Sequence, residues 1–499
     1  MGLLIWAGTA LPDAETSPQD NFAVYVEDNT IVAAGDRETL KNTYPTTHQV
    51  GGPDLLLCPA FVNSHDHGRA LGTASLGIGD DLLEIWLPGL WAQPMLDPYL
   101  AAVYDGLQLL HAGVGTTAHS HNPRDARRQQ SETEATLRGY RDVGIRVACH
   151  PVIVDQNPLV YNDEAVFLAG LPSALQAQAK PFLQPKRQSP ADYFSMCAEL
   201  VETYHDADQH TAHIQVSPAG GQWCSDDLIM TAVAFAQRHQ TRVQMHMLET
   251  RYQQHYARRR WGHSFIQHLE TIGALGPWLT LAHMVWVDKA DLPLLAERGV
   301  GIAHNPSSNL RLRSGVAPIP PMLAAGLTPG IGLDGHALDE DQDYLREMRL
   351  AWTLANRPGA TSPTISANTI WQMGTVNGAA ISLGPDVPLG TLAPGSLADL
   401  VLLDWQAVRG DWAPDGYPAP AGLLEFLLRK ANRSHVRHVM INGEWSIRDG
   451  QSSRVDTAAI TQEIKTALTR QTITNPPEIA RTARALAPYL RQFYAHWEA

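Results

Sequence analysis

The sequence predicts an α/β fold: a (β/α)8 TIM-type barrel over residues 58–385, a small β-sandwich subdomain formed from both termini, and a C-terminal helical tail. Two observations predict it. Strand-length apolar runs at 144–150, 213–217, 242–246, 279–283, 300–304 and 329–334 alternate with helix-length amphipathic stretches. The short β-like texture of residues 1–57 also returns in residues 386–450, so the two ends can pair.

Residues 1–57 read as the N-terminal part of the subdomain, a β-meander in which Phe22-Ala-Val-Tyr-Val-Glu and Thr30-Ile-Val-Ala-Ala-Gly sit between turn residues. The opening Met1-Gly-Leu-Leu-Ile-Trp-Ala-Gly lacks a basic segment, and Trp6 stands where a myristoylation signal needs Ser or Thr, so it reads as a strand. Through 58–385 the repeated βα units require a parallel sheet, and so long a run favours closure over an open sheet. Residues 386–450 supply the C-terminal part of the subdomain, with strands expected across Gly390-Thr-Leu-Ala-Pro-Gly-Ser-Leu-Ala-Asp-Leu-Val-Leu-Leu-Asp404 and a hairpin over 435–445. In residues 451–499, helical periodicity broken at Pro476-Pro477 predicts a pair of helices packed on the body.

A net charge of −14 with scattered Lys and Arg excludes nucleic acid or an acidic membrane as the main partner and leaves a small-molecule substrate. Cys58, Cys149, Cys197 and Cys224 form no Cys-x-x-Cys pair, which argues against a thiolate zinc site or a disulfide framework and for a cytoplasmic location. No apolar run reaches the roughly 18 residues of a membrane span.

Chemistry concentrates where strands end. Cys58-Pro-Ala-Phe-Val-Asn-Ser-His-Asp-His-Gly68 closes on His65 and His67, whose i, i+2 spacing puts both rings on one face of a strand and Asp66 on the other. His246 ends Val243-Gln-Met-His, with Glu249 three residues on; His283 ends Leu279-Thr-Leu-Ala-His, and Asp334 ends Ile331-Gly-Leu-Asp. In a barrel all strand C-termini open on one rim, so these residues converge. Glu249 would face away from His246 on a continued strand and must lie where the strand has turned into its loop. Each residue also has an ordinary alternative: Asp334 as a helix N-cap or Asx-turn, and His150, His213 and His304 as buried rings satisfied by backbone.

These segments, together with Gly113-Val-Gly-Thr-Thr, His246-Met-Leu-Glu-Thr250, His304-Asn-Pro-Ser-Ser-Asn-Leu-Arg-Leu-Arg-Ser-Gly315 and Gly395-Ser-Leu-Ala-Asp-Leu-Val, resemble the amidohydrolase superfamily in its metal-dependent deaminase and chlorohydrolase branch. The resemblance covers about residues 1–450. It implies that His65, His67, His246 and Asp334 bind one divalent metal, zinc first, with iron or manganese as alternatives. His283 then faces the metal-bound water and Glu249 shuttles protons. The fourth-strand stretch His213-Ile-Gln-Val-Ser-Pro-Ala-Gly lacks the lysine that bridges two ions in binuclear relatives, hence the single metal.

The implied reaction is hydrolytic deamination or dealkylamination of an aminated heterocycle, with Glu249, His283 and Asp334 catalytic. The same centre would serve an amide, urea, carbamate or halide, whereas a non-catalytic scaffold would have lost ligands. Trp86, His119, His304, Asn305 and His336 are the expected substrate contacts, with Arg69 and Trp91 nearby, and they suit a planar ring. His336 stands where adenosine-type deaminases carry a small residue. Substrate identity, leaving group and any homo-oligomer stay open.

Overall fold

The computed structural model describes all residues except 1, 70, 91–92, 95, 124, 163, 184–187, 363, 412–421, 475–477 and 498–499. Trp91 therefore lies outside the described residues. The architecture is mixed α/β. β1 (Leu3–Ala10), β2 (Gln19–Glu27) and β3 (Thr30–Asp36) form the antiparallel meander, and β4 (His48–Pro59) returns parallel to β1.

The parallel strands follow as two arcs. β5 (Phe61–Asp66), β6 (Val114–His121), β7 (Arg146–Ile153) and β8 (Ala212–Ile214) pair in order, with β9 (Ser217–Pro218) on β7. β10 (Val243–Met247), β11 (Leu279–His283), β12 (Gly301–His304) and β13 (Gly330–Ile331) form the second arc. Parallel bridges Val216 to Val243 and Gly220 to His246 join the arcs on one side. On the other, Asp334 N donates to His65 O (2.9 Å) and Tyr344 Oη donates to both Val62 O (2.5 Å) and Ile331 O (2.9 Å). The strands are buried residue after residue, as parallel strands covered on both faces must be.

β14 (Leu400–Asp404), β15 (Val436–Ile441), β16 (Glu444–Arg448) and β17 (Gln451–Ser452) continue the N-terminal sheet, because β14 lies antiparallel to β4. In hydrogen bonding the expected sandwich is one sheet of order β17-β16-β15-β14-β4-β1-β2-β3. Ile5, Val24, Leu400 and Met440 from its two halves share a core. The strand expected to begin at Gly390 begins at Leu400, because Gly390 (φ +93°) and Gly395 (φ +90°) turn the preceding chain. Alternation along β4 ties this sheet to the parallel arcs: Leu56 and Cys58 enter the main core, Leu57 the sheet's own. A buried ion pair adds a second tie, with Arg146 Nε and Nη2 donating to Asp399 Oδ2 and Oδ1 at 3.0 and 2.9 Å.

The tail forms helices Thr457–Thr474 and Glu478–Ala495. The second packs on helix Leu83–Leu90, and an Arg491–Asp81 ion pair pins it there. Among the described residues no helix is long and apolar enough to cross a membrane, and all four cysteines are free and buried.

Candidate metal centre

Four imidazoles and one carboxylate converge at the strand ends. His65, His246, His283 and Asp334 offer ligand atoms that all lie within 4.8 Å of one another. His67, just past β5, belongs to the same cluster: its Nε2 is 3.1 Å from both His246 Nε2 and Asp334 Oδ1. His65 Nε2 lies 3.4 Å from the same Oδ1.

Each ring is held from behind through Nδ1. His65 donates to Gln244 Oε1 (2.6 Å), an amide whose orientation is fixed because its Nε2 donates to Ser64 O (3.0 Å). His246 donates to Ala219 O (2.6 Å), while His67 Nδ1 lies 2.7 Å from Asn122 Nδ2 and 3.2 Å from Ser120 O. His283 donates to Asn309 Oδ1 (2.9 Å). A neutral ring with its proton on Nδ1 presents a lone pair at Nε2. His67 Nε2 and His246 Nε2 face each other at 3.1 Å, and the buried His65 Nε2, His283 Nε2 and Asp334 Oδ1 have no hydrogen-bond partner in the protein. That donor set fits a divalent cation.

Charge states agree. Burial and the Arg69 guanidinium push His67 down to about 4, burial pushes His283 down to about 4, and burial and the adjoining rings hold His246 well below its ordinary range. Burial works against the Asp334 charge, but the His65 and His67 rings beside it more than offset that, so its carboxyl sits well below the usual range. Glu249 goes the other way: burial, then the Asp334 and Glu84 charges, raise it well above the ordinary carboxyl range.

Backbone strain places these groups. β10 ends at Met247, and Leu248 at φ +50° swings Glu249 off the strand line, so that Glu249 Oε2 comes to 3.7 Å from His283 Nε2. His283 (φ +75°) and Asp334 (φ +58°) hold left-handed conformations that are costly outside glycine and are kept where a site demands them. Asp66, outside the cluster, braces the turn by accepting from His67 N (2.7 Å) and Gly68 N (2.9 Å). Gly68 (φ +58°) is required there, since a Cβ would stand 2.3 Å from His119 Cε1.

A cavity of about 1080 Å³ opens over the cluster, with His67, His246, Glu249, His283 and Asp334 in its wall. Of the expected substrate contacts, Trp86 and His119 line it. His304, Asn305 and His336 are buried and outside its lining. Asn305 instead lies with Nδ2 3.3 Å from the His283 ring, while His336 packs on Trp86 at 4.9 Å between centroids. Gln244, Asn309 and Ser308, whose Oγ donates to Asp334 Oδ2 (2.5 Å), were not assigned these orienting contacts from the sequence. Period two from His246 is a usable signal for Gln244; Ser308 and Asn309 follow the seventh strand, where the sequence suggests substrate contacts, and the structure puts them on Asp334 and His283.

A parallel α/β scaffold with a buried His, His, His, Asp group at its strand ends defines a metal-dependent hydrolase. The chain belongs to the amidohydrolase family, which residues 56–446 match, and it is accordingly a hydrolase acting on carbon–nitrogen bonds. It is 28% identical over 470 residues to a 5-methylthioadenosine/S-adenosylhomocysteine deaminase of Desulforudis audaxviator, covering 93% of this chain and 97% of that protein. It is 27% identical over 465 residues to a 5'-deoxyadenosine deaminase of Methanosarcina barkeri, covering 91% and 94%. Among solved structures, a zinc-bound adenosine deaminase from Xanthomonas campestris superposes with a TM-score of 0.76 at 24% identity, covering 95% of this chain and 99% of that one. The atrazine chlorohydrolase of Arthrobacter aurescens TC1 in complex with zinc gives 0.75 at 20% identity, covering 93% and 100%. At these identities the two structures establish the TIM-type fold alone.

Proposed function

We propose that this protein is a mononuclear, zinc-dependent deaminase of an aminated planar heterocycle, and that its two parallel arcs belong to one (β/α)8 ring. Bridges and hydrogen bonds at both junctions of the arcs support the ring. The buried Glu249, its carboxyl raised well above the ordinary range and its Oε2 3.7 Å from His283 Nε2, carries the deaminase reading, because a carboxyl so placed suits a general acid beside the metal cluster. The named relatives, which act on adenosine-derived rings, support the substrate class.

His65, His67, His246 and Asp334 would hold the ion, which when bound would supply water with a pKa lowered from about 15.7 towards 7. Asp334 and His283, whose Oδ1 and Nε2 are left without hydrogen-bond partners in the protein, would take up the proton of the attacking water. Glu249 protonates the adjacent ring nitrogen and then helps discharge ammonia. Trp86 and His119 flank the ring from the cavity wall. The orphaned His283 Nε2, 3.7 Å from Glu249 Oε2, lets the two groups pass one proton between them.

The test is ammonia release by the metal-loaded enzyme over aminated purines, pyrimidines, pterins and triazines, with Glu249→Gln beside the parent. The variant keeps its metal and loses kcat by about 10²-fold or more. A near-normal kcat removes Glu249 from this role, and silence across the whole panel removes the deaminase reading.

A further inference from the structure

Glu84, on helix Leu83–Leu90, lines the same cavity and takes no part in the chemistry above. It is a 3% exposed carboxyl. Tyr161 Oη (2.9 Å) and Thr250 Oγ1 (2.5 Å) both donate to its Oε1, which fixes the side chain. Its Oε2 is buried and has no partner. A buried acceptor left open is a standing cost to the fold, and it is relieved when a donor arrives.

Position and sign indicate which donor. Thr250 directly follows Glu249, so the Glu84 carboxyl is tied to the segment that carries the general acid. Both donors from the protein go to Oε1, so Oε2 is the atom left to meet a donor on the substrate. Glu84, Glu249 and Asp334 all face the cavity, whereas the nearby Arg69 already spends Nη1 on Asp334 O (2.5 Å). Between the carboxyls the wall is apolar, with Leu83, Leu87, Leu312 and Trp223. An apolar wall of this kind suits the face of a flat ring, with Glu84 on the same cavity.

We propose that Glu84 is a specificity-determining residue: its free oxygen accepts from an amino or amidinium group on the heterocycle remote from the attacked carbon, so that the enzyme selects basic, diamino-substituted rings. The proposal rests on the deaminase reading for the phrase "attacked carbon", but the contact itself is a binding event and is tested as one. Tyr161 is the positioning residue, and its own N donates to Tyr494 Oη (3.3 Å) in the helix Glu478–Ala495, beyond the family match at residue 446.

The experiment is calorimetric titration of the metal-loaded Glu249→Gln enzyme, which binds without turnover, with 2,6-diaminopurine, adenine and adenosine, with and without Glu84→Gln. The diamine is expected to bind at least about tenfold tighter than adenine. Glu84→Gln should bring the two within about threefold, leaving adenine affinity, metal content and unfolding midpoint unchanged. A preference that survives Glu84→Gln, or is absent to begin with, overturns the proposal. If the variant instead abolishes an adenosine advantage, Oε2 reads hydroxyls and the amine assignment falls. Should Glu84→Gln fail to fold, Tyr161→Phe replaces it: a preference lowered twofold to fivefold is expected, on the order of one neutral hydrogen bond, and an unchanged one overturns the proposal. A diamine preference in a protein that releases no ammonia from any ring would sink the deaminase reading and leave this contact standing.

Discussion

Replacing Gln244 by methionine should weaken metal binding without touching a ligand. The side chain is 1% exposed and lies behind His65, which is fully buried. Methionine fills the same volume but offers His65 Nδ1–H no acceptor and Ser64 O no donor in place of contacts at 2.6 and 3.0 Å. An unpaired buried donor costs about 1–3 kcal/mol. The metal-free protein escapes that cost by moving the ring proton to Nε2, where Asp334 Oδ1 waits at 3.4 Å. The loaded protein cannot, since the ion needs that lone pair. The penalty therefore falls on the loaded state and appears as an affinity loss of roughly 10–100-fold, the range for residues that orient a ligand. Zinc titration against a competing chelator reads it directly, and unfolding with and without metal apportions it between the two states. An affinity within about threefold of the parent, in a variant that unfolds normally without metal, would refute the reasoning.

Two further predictions concern stability. Arg146→Met strips the partner from Asp399, whose residual donor is Asn442 N (2.7 Å), and should cost about 3–5 kcal/mol in urea unfolding; a loss under about 1 kcal/mol would mean the pair does not tie the sheet to the parallel strands. His213 is pushed from 6.5 down to about 3 by burial and by His205 and His210. As pH falls the unfolded chain takes up this proton first, so the stability His213 contributes is full above about 6.5 and is lost as pH drops towards 3, at up to about 1.4 kcal/mol per unit. His213→Leu should accordingly shrink the stability difference between about pH 7.5 and 5 by about 2 kcal/mol; an unchanged difference would show the ring to be solvated.

The order of the strands was legible because the pattern that marks them is local. Apolar runs ending on His246, His283 and His304 mark β10, β11 and β12 within a residue or two, since a parallel strand covered on both faces has to be apolar throughout. The fourth run was less legible. Expected as one strand over 213–217, it divides into β8 and β9, and Pro218, which has no N–H to give a ladder, ends the second piece. The run from Gly390 failed for a related reason: its apolar residues are real core, but glycines at positive φ interrupt the ladder that hydropathy alone suggests.

The centre divides along the same line. The candidate ligands His65, His67, His246, His283 and Asp334 are readable because each sits at or just past the end of a strand, so type and position coincide at one place in the chain. The orienting atoms are not, because orientation is exchanged between elements. Gln244 serves a ring 179 residues away, and Asn309 and Ser308 serve His283 and Asp334 from a helix 26 residues away in each case. Period two puts Gln244 on the face of His246, but nothing in the strand says which ring it meets, and nothing in its helix says which ring Asn309 meets. It follows that a chain can match every ligand position of this family and still lack a competent centre, if the residues behind the rings have changed. The Nδ1 contacts behind the rings include backbone carbonyls, which substitution cannot remove, and the side chains of Gln244 and Asn309, which it can. The metal affinity of this protein is accordingly most exposed to change at those two side chains, neither of which binds the ion.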